Sequence, residues 1–491
     1  MTGQLTGPER LQSQFVLLPP VMWIGQDLEG PPCSLQSSMV ESSLLLVVDH
    51  SNYMSWVLEQ PDTILNQFET NRQFMCSDYT LEMSAHSWPR VNDRVKREMT
   101  QRIDEFVDAM VDETQDSLRA LLGDTEEWHE VVLYDAMLEA VGRVVGRVLV
   151  GLPLCRNPGY LQASTSFSKY ILLPAMAIEL LPAFLKPLVG PVVTFWDKLQ
   201  YWRMESYVMP MLRERVPSIY HGEKSGPEPN DYIQWALRDV IRSGENPQDT
   251  NHHITKRLAV TTFAAVQSSA ITITNAMFDI AACQNSLAVQ DELRAELESA
   301  NGIWTRASLA RLPKLDSVLT ETLRHWVILT HGITKTVVAP EGVTIPTGEH
   351  IPCGAKVGIA SYGPHFDEDV YGTKEASAEA YDPFRFTREE IASVVKRQNA
   401  PPGMGFVTTS EHYMGFSHGR SACPGRFFAN SLLKILLSHI VLQYDVEPMN
   451  ERPANPWLNN TVGPPVGEKI RLRKRKAEVC PCVICSRRVY A

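Results

Sequence analysis

The stretch Leu258 to Cys283 is apolar on nearly every side of a helical projection. A helix with no polar face cannot lie on a surface, so this one runs through the middle of a large core. The 491-residue chain has further helical material to surround it. Residues 90–150 read as helical, with Ile103, Phe106, Val107, Met110 and Val111 recurring at helical spacing. A second helical region spans 250–330, where Leu315, Val318, Leu319, Thr322, Leu323 and Trp326 form a stripe behind Pro313. Helix returns from Arg426 to Leu442. Between these lie short β-like pieces set off by turn residues: Lys335 to Val338, Gly342 to Pro346, Ile351, and Lys356 to Ala360. The expected fold class is mainly α with one small β region late in the chain.

The net charge of −11 argues against nucleic acid as a partner. Nine cysteines, odd in number and mostly isolated, disfavour a secreted disulfide framework and point to a reducing, cytosol-facing location. No secretory signal is read at the N-terminus, where Phe15 to Ile24 is interrupted by Pro19 and Pro20. The nearest approach to a spanning segment, Tyr170 to Trp196, is broken by Glu179, Lys186 and four prolines. It reads as helices on a surface or core, and an apolar pair of that kind can contact a membrane surface in the headgroup layer without crossing.

The segment Phe416-Ser-His-Gly-Arg-Ser-Ala-Cys-Pro-Gly425 delivers Cys423 just ahead of a helix starting near Gly425. Helix N-termini present unpaired N–H groups and a positive dipole end, both favouring a thiolate. Gly419 and Gly425 let the backbone approach a large flat ligand. Phe416 is placed to pack over such a ring, and Arg420 to pair with a carboxylate. Without its neighbours, Cys423 reads as a small buried residue at a helix start.

Together with Phe406-Val-Thr-Thr-Ser410, Met414-Gly-Phe and Arg426-Phe-Phe-Ala429, this run resembles the haem-binding loop of cytochromes P-450, Phe-x-x-Gly-x-x-x-Cys-x-Gly, especially in fungal secondary-metabolite members. The resemblance implies a triangular helical prism around a buried haem b, with Cys423 as axial ligand to the iron. Ser421 stands where the family usually places an Arg or His that reaches a haem propionate, and Arg420 is expected to take over. His331 falls near another propionate-binding position. Glu321 and Arg324 lie three apart on one helix face. Alone, that spacing describes a solvated surface. Followed by Asp382-Pro-Phe-Arg-Phe386, it resembles the family's buried network, which assigns Glu321, Arg324 and Arg385 a structural role.

Ala264-Ala-Val-Gln-Ser-Ser269 matches the position of the family's oxygen-binding kink. By resemblance Ala264 and Ala265 leave room for dioxygen, while Gln267 and Ser268 replace the usual acid and threonine. A serine hydroxyl can hold a water and pass a proton through it, but a glutamine cannot titrate. The plain alternative is small polar residues easing helix packing.

The family implies insertion of one oxygen atom into an apolar small molecule such as a terpenoid, indole alkaloid or polyketide. Electrons come from NADPH through a separate reductase, at the cytosolic face of the endoplasmic reticulum membrane. Arg420, Arg426 and Lys434 are candidates for the reductase-docking face, or plain solvated surface. An oxygen-independent isomerase or dehydratase on the same haem, and a catalytically inert haem-binding protein, stay open because of positions 267, 268 and 421. The expected organisation is an atypical, incomplete or altered N-terminal region (1–80), a haem domain (81–470), and a basic, cysteine-rich tail (471–491) that frays. Cys480, Cys482 and Cys485 in that tail lie outside the family pattern.

Overall fold

In the computed structural model the apolar stretch forms part of one 36-residue helix, Pro247–Ala282. The structure describes residues 21–24, 45–48, 50–80 and 95–476, apart from 180, 183, 222–227, 245–246, 301–303, 390, 392–404 and 459–460. The three tail cysteines lie outside the described residues.

The chain begins with strands β1 (Val21–Ile24) and β2 (Leu45–Val48), helix α1 (His50–Glu59), β3 (Leu65–Asn66) and α2 (Gln67–Phe74). The region read as helical over 90–150 is not continuous. A π-helical turn at Val95–Thr100 leads to α3 (Val107–Leu122), then to a strand, β4 (His129–Val132), and to α4 (Leu133–Leu149). Sequence periodicity missed that strand because it is four residues long and its partner, β12, lies more than 300 residues away.

Next come α5 (Pro158–Tyr170), α6 (Leu172–Glu179), α7 (Lys186–Val193), α8 (Phe195–His221) and α9 (Tyr232–Arg242). Asn157 caps α5 by accepting the Tyr160 N–H, with Pro158 at the first helical position, and Asp231 caps α9 through the Gln234 N–H. The central helix Pro247–Ala282 is α10, followed by α11 (Ser286–Ser299), α12 (Arg306–Leu309) and α13 (Pro313–His325). Then come β5 (His331–Val337), β6 (Val343–Thr344), β7 (His350–Ile351), β8 (Lys356–Ala360) and α14 (Glu368–Tyr371). The chain ends in α15 (Arg426–Gln443), β9 (Tyr444–Val446), β10 (Trp457–Leu458), β11 (Thr461–Val462) and β12 (Lys469–Lys474).

Helix α10 packs against α4, α5, α9, α13 and α15, so the core does surround it. Leu258, Ala259, Ala270, Ile273 and Phe278 are buried along its length. One sheet runs in the order β1-β2-β8-β5-β3, and a smaller one in the order β4-β12-β9. Strand β12 carries order to Lys474, beyond Arg471, where the sequence reading expected fraying. Ile470 and Leu472 point inward while Lys469 and Arg471 face out, the period-two pattern of a half-buried strand.

Tyr170 to Trp196 divides among α5, α6, α7 and the start of α8. Among the described residues no helix is long and apolar enough to cross a membrane. Leu173, Phe184, Leu188, Val192, Phe195 and Trp196 are nevertheless exposed.

Candidate functional site

The cysteine loop is fixed before its helix begins. Cys423 donates its backbone N–H to the Phe416 carbonyl at 2.9 Å, closing the loop, and Ser417 N–H reaches the Met414 carbonyl at 2.8 Å. Ser417 takes a positive φ of 60°, an uncommon conformation for a residue with a side chain. Gly419 also lies at positive φ, and a Cβ there would sit 2.9 Å from Leu58. The loop thus needs glycine at 419 for backbone and packing reasons of its own. Gly425 is different. A Cβ there would meet only ordinary contacts within the chain, 3.7 Å from Val95 and 3.9 Å from the Cys423 sulfur. The polypeptide alone does not demand glycine at 425, and its missing side chain leaves space beside the sulfur.

Burial pushes the Cys423 thiol up from its ordinary value, while the Gly425 and Arg426 N–H groups and the Arg426 guanidinium pull it down. The helix N-terminus therefore supplies the expected donors, but burial outweighs them until a cation meets the sulfur. Arg426 donates from Nη1 to the Cys423 carbonyl at 2.9 Å, and its Nε is buried without a hydrogen-bond partner. Phe416 packs edge-on against Phe406, with ring centroids 4.9 Å apart.

The middle of α10 supplies a second surface. Leu258 to Thr262 and Ser269 to Ile273 are buried, yet Ala264 between them is exposed, and Phe263, Ala265, Gln267 and Ser268 are half-buried. Exposure between buried turns in the middle of a helix marks the border of a hollow. Ser268 Oγ donates to the Ala264 carbonyl at 2.6 Å, leaving its lone pairs free to accept. Gln267 Nε2 donates to the hydroxyl of Tyr134 at 2.7 Å, a partner the sequence did not suggest.

Glu321, Arg324 and Arg385 come together in full burial. Glu321 accepts from Arg324 Nε at 2.7 Å and Nη2 at 2.8 Å, from Arg385 Nε at 3.0 Å, and from the Asp382 N–H at 3.0 Å. Burial pushes the Glu321 carboxyl up, but the Arg324 charge and hydrogen bond, aided by His325, hold it well below the usual range. Arg385 also donates from Nη2 to the carbonyls of Ser377 at 2.9 Å and Ala380 at 2.7 Å, and from Nη1 to those of Tyr371 and Ala376, so its remaining protons are matched.

His365 links this network to the cysteine loop. Arg324 Nη1 donates to the His365 carbonyl at 2.5 Å, His365 Nδ1 meets the Arg324 carbonyl at 3.0 Å, and Nε2 accepts the Met414 N–H at 2.8 Å. Met414 lies two residues before Phe416. No local pattern marks a histidine for this task, because both partners are distant in sequence.

One expectation is overturned. Lys434 is fully buried, paired with Asp316 at 2.7 Å and donating to the Leu309 carbonyl at 3.1 Å, so it is no part of a docking face. Arg420 is exposed on the turn beside the buried Ser421. Its charge lies near enough to Lys335 to help burial lower that lysine's pKa. His331, half-buried at the start of β5, is pushed down to about 4 by burial.

The donor set fits a haem: one sulfur on a loop with an open glycine beside it, an unmatched guanidinium Nε next to that sulfur, and a hollow lined by small residues on α10. The comparisons agree. The family model "Cytochrome P450" matches residues 40–472. Cytochrome P450 monooxygenase 151 of Postia placenta is 32% identical over 85% of this chain and 82% of its own length. Cytochrome P450 monooxygenase astC of Aspergillus terreus is 27% identical over 85% of this chain and 80% of its own. Cytochrome P450 monooxygenase polB of Polytolypa hystricis is 27% identical over 87% and 83%. With its mainly α architecture, its cysteine loop and its buried Glu321–Arg324–Arg385 network, the chain belongs to the cytochrome P450 family and is a haem-thiolate monooxygenase.

Proposed function

We propose that the protein inserts one atom of dioxygen into an apolar small molecule of fungal secondary metabolism (a terpenoid, indole alkaloid or polyketide), using electrons from NADPH delivered by a separate reductase. The observation that carries this reading is the exposed Ala264 between the buried stretches 258–262 and 269–273 of α10, one turn before the Ser268 hydroxyl. The haem, when bound, supplies the oxygen chemistry, which a thiolate ligand favours by donating electron density.

Cys423 would hold the iron, with Phe416 beside the loop and Gly425 leaving the sulfur approachable. Ala264 and Ala265 would leave room along α10. Ser268 is the proton-holding group: its own hydrogen rests on the Ala264 carbonyl, and its Oγ accepts from a water. Gln267 carries no titratable proton, so proton delivery runs through water rather than through that side chain. His331 and Arg420 are the candidates for the haem propionates, and Arg420 and Arg426 for the reductase-facing surface.

Expression with a haem supply and a reductase, followed by comparison of metabolites, tests the function. Product is expected only with both NADPH and oxygen. Product formed without them would assign the chain to oxygen-independent rearrangement, and haem loading without product would make it inert.

We further propose that α6, α7 and the start of α8 rest on the cytosolic surface of the endoplasmic reticulum membrane. Leu188 and Val192 lie one turn apart on α7, exposed by 71% and 73%. Burying an aliphatic side chain of this kind is worth about 1.5–3 kcal/mol, so replacing both with Asp is expected to weaken binding to phospholipid vesicles by roughly 100-fold or more. Flotation with vesicles checks this, and unchanged flotation would remove the α7 face from the contact.

A further inference from the structure

Tyr134 opens α4 and is buried, 2% exposed, against the flank of α10. Its hydroxyl takes the Gln267 Nε2 hydrogen at 2.7 Å. The other end of that carboxamide, Oε1, is buried with no hydrogen-bond partner. Burial pushes the Tyr134 hydroxyl up to about 12, so it remains a neutral phenol. A buried amide held at one end and unmatched at the other, one residue from Ser268 along the helix, is a place where an ordered water would complete the bonding.

We infer that Tyr134 is a positioning residue for proton delivery: it fixes the Gln267 carboxamide so that the free oxygen holds a water within reach of Ser268 Oγ. No proton crosses the amide. The proton moves from that water to Ser268 Oγ as the serine hydrogen passes on to the pocket, and the water is reprotonated from solvent, so the count closes. Gln267 thereby does by orientation what a carboxylate in its place would do by titration. This inference rests on the proposed relay through Ser268.

The test uses full-length, haem-loaded protein in three forms: wild type, Tyr134→Phe and Gln267→Ala. Tyr134→Phe keeps the ring that fills the site and removes only the hydroxyl. The first readout needs no substrate: the C–O stretching band of the ferrous carbon monoxide complex, which senses polar groups near the bound gas. The wild type is expected to show one narrow band, and Tyr134→Phe a broadened or split one, because the released amide takes two orientations. The second readout is reductase-driven NADPH oxidation in light and heavy water. Tyr134→Phe is expected to slow it about tenfold, less than loss of a proton donor outright, and to raise its solvent isotope effect. If Tyr134→Phe leaves both unchanged, or only lowers the melting temperature, while Gln267→Ala alters them, the role of Tyr134 is overturned and the relay stands. If neither variant alters them, the relay reading falls as well.

Discussion

Glu321→Gln is expected to yield protein that binds little haem and unfolds several kcal/mol more readily than the wild type. Glu321, Arg324 and Arg385 are each 0% exposed, and the carboxylate is the anion both guanidiniums share. Removing it leaves two buried cations facing a neutral amide, and breaking a buried pair by deleting one partner costs about 3–5 kcal/mol. That is a large share of the ~5–15 kcal/mol that holds a typical protein folded. The loss is transmitted to the haem side through Arg324, His365 and the Met414 N–H.

The same network sets an acid limit. Glu321 titrates well below its ordinary value of 4.5 once folded. A depressed carboxyl contributes stability that is present above the unfolded value and lost as pH falls through the folded one. Wild-type haem retention is therefore expected to hold from neutral pH down to the ordinary value of 4.5, to weaken progressively below it, and to be lost as pH falls through the depressed folded value, whereas Glu321→Gln lacks this contribution. Thermal melting and haem absorbance per protein across that range measure both effects. A variant that melts and loads like the wild type would mean that the network contributes nothing to the fold.

Cys423→Ser is the second large effect. The hydroxyl is nearly isosteric, and the loop that presents it is held by backbone bonds to Phe416, Met414 and Gly419 that the substitution does not touch. Folding is expected to survive. Oxygenation is not, because a serine cannot supply the electron donation of a thiolate. Monooxygenase turnover should fall by more than about 1000-fold, a barrier increase of roughly 4 kcal/mol. Product analysis with reductase and NADPH checks this, and retained turnover would separate the chemistry from the sulfur.

What the sequence made legible was whatever is local. The cysteine loop, the helix behind it and the Glu321–Arg324 spacing each lie within one short run, so motif and periodicity carry them. Arg385 was reachable only through resemblance, since 61 residues separate it from Arg324. His365, Tyr134 and the burial of Lys434 were not reachable at all: their partners Met414, Gln267 and Asp316 lie 49, 133 and 118 positions away, and only the tertiary fold brings them together. Lys434 misled for a specific reason. Its helix α15 is buried over nearly all of its length, and a lysine in such a place is tolerated only because Asp316 neutralises it. Strand β4 was lost inside a helical region because four residues are too few to establish a period.

The most direct measurement is the absorption spectrum of the reduced, carbon monoxide-bound protein, wild type beside Cys423→Ser. A sulfur–iron bond at Cys423 predicts the red-shifted band of a thiolate-ligated haem in the wild type and its disappearance in the variant. A wild type that takes up no haem, or a variant that keeps the red-shifted band, would contradict it.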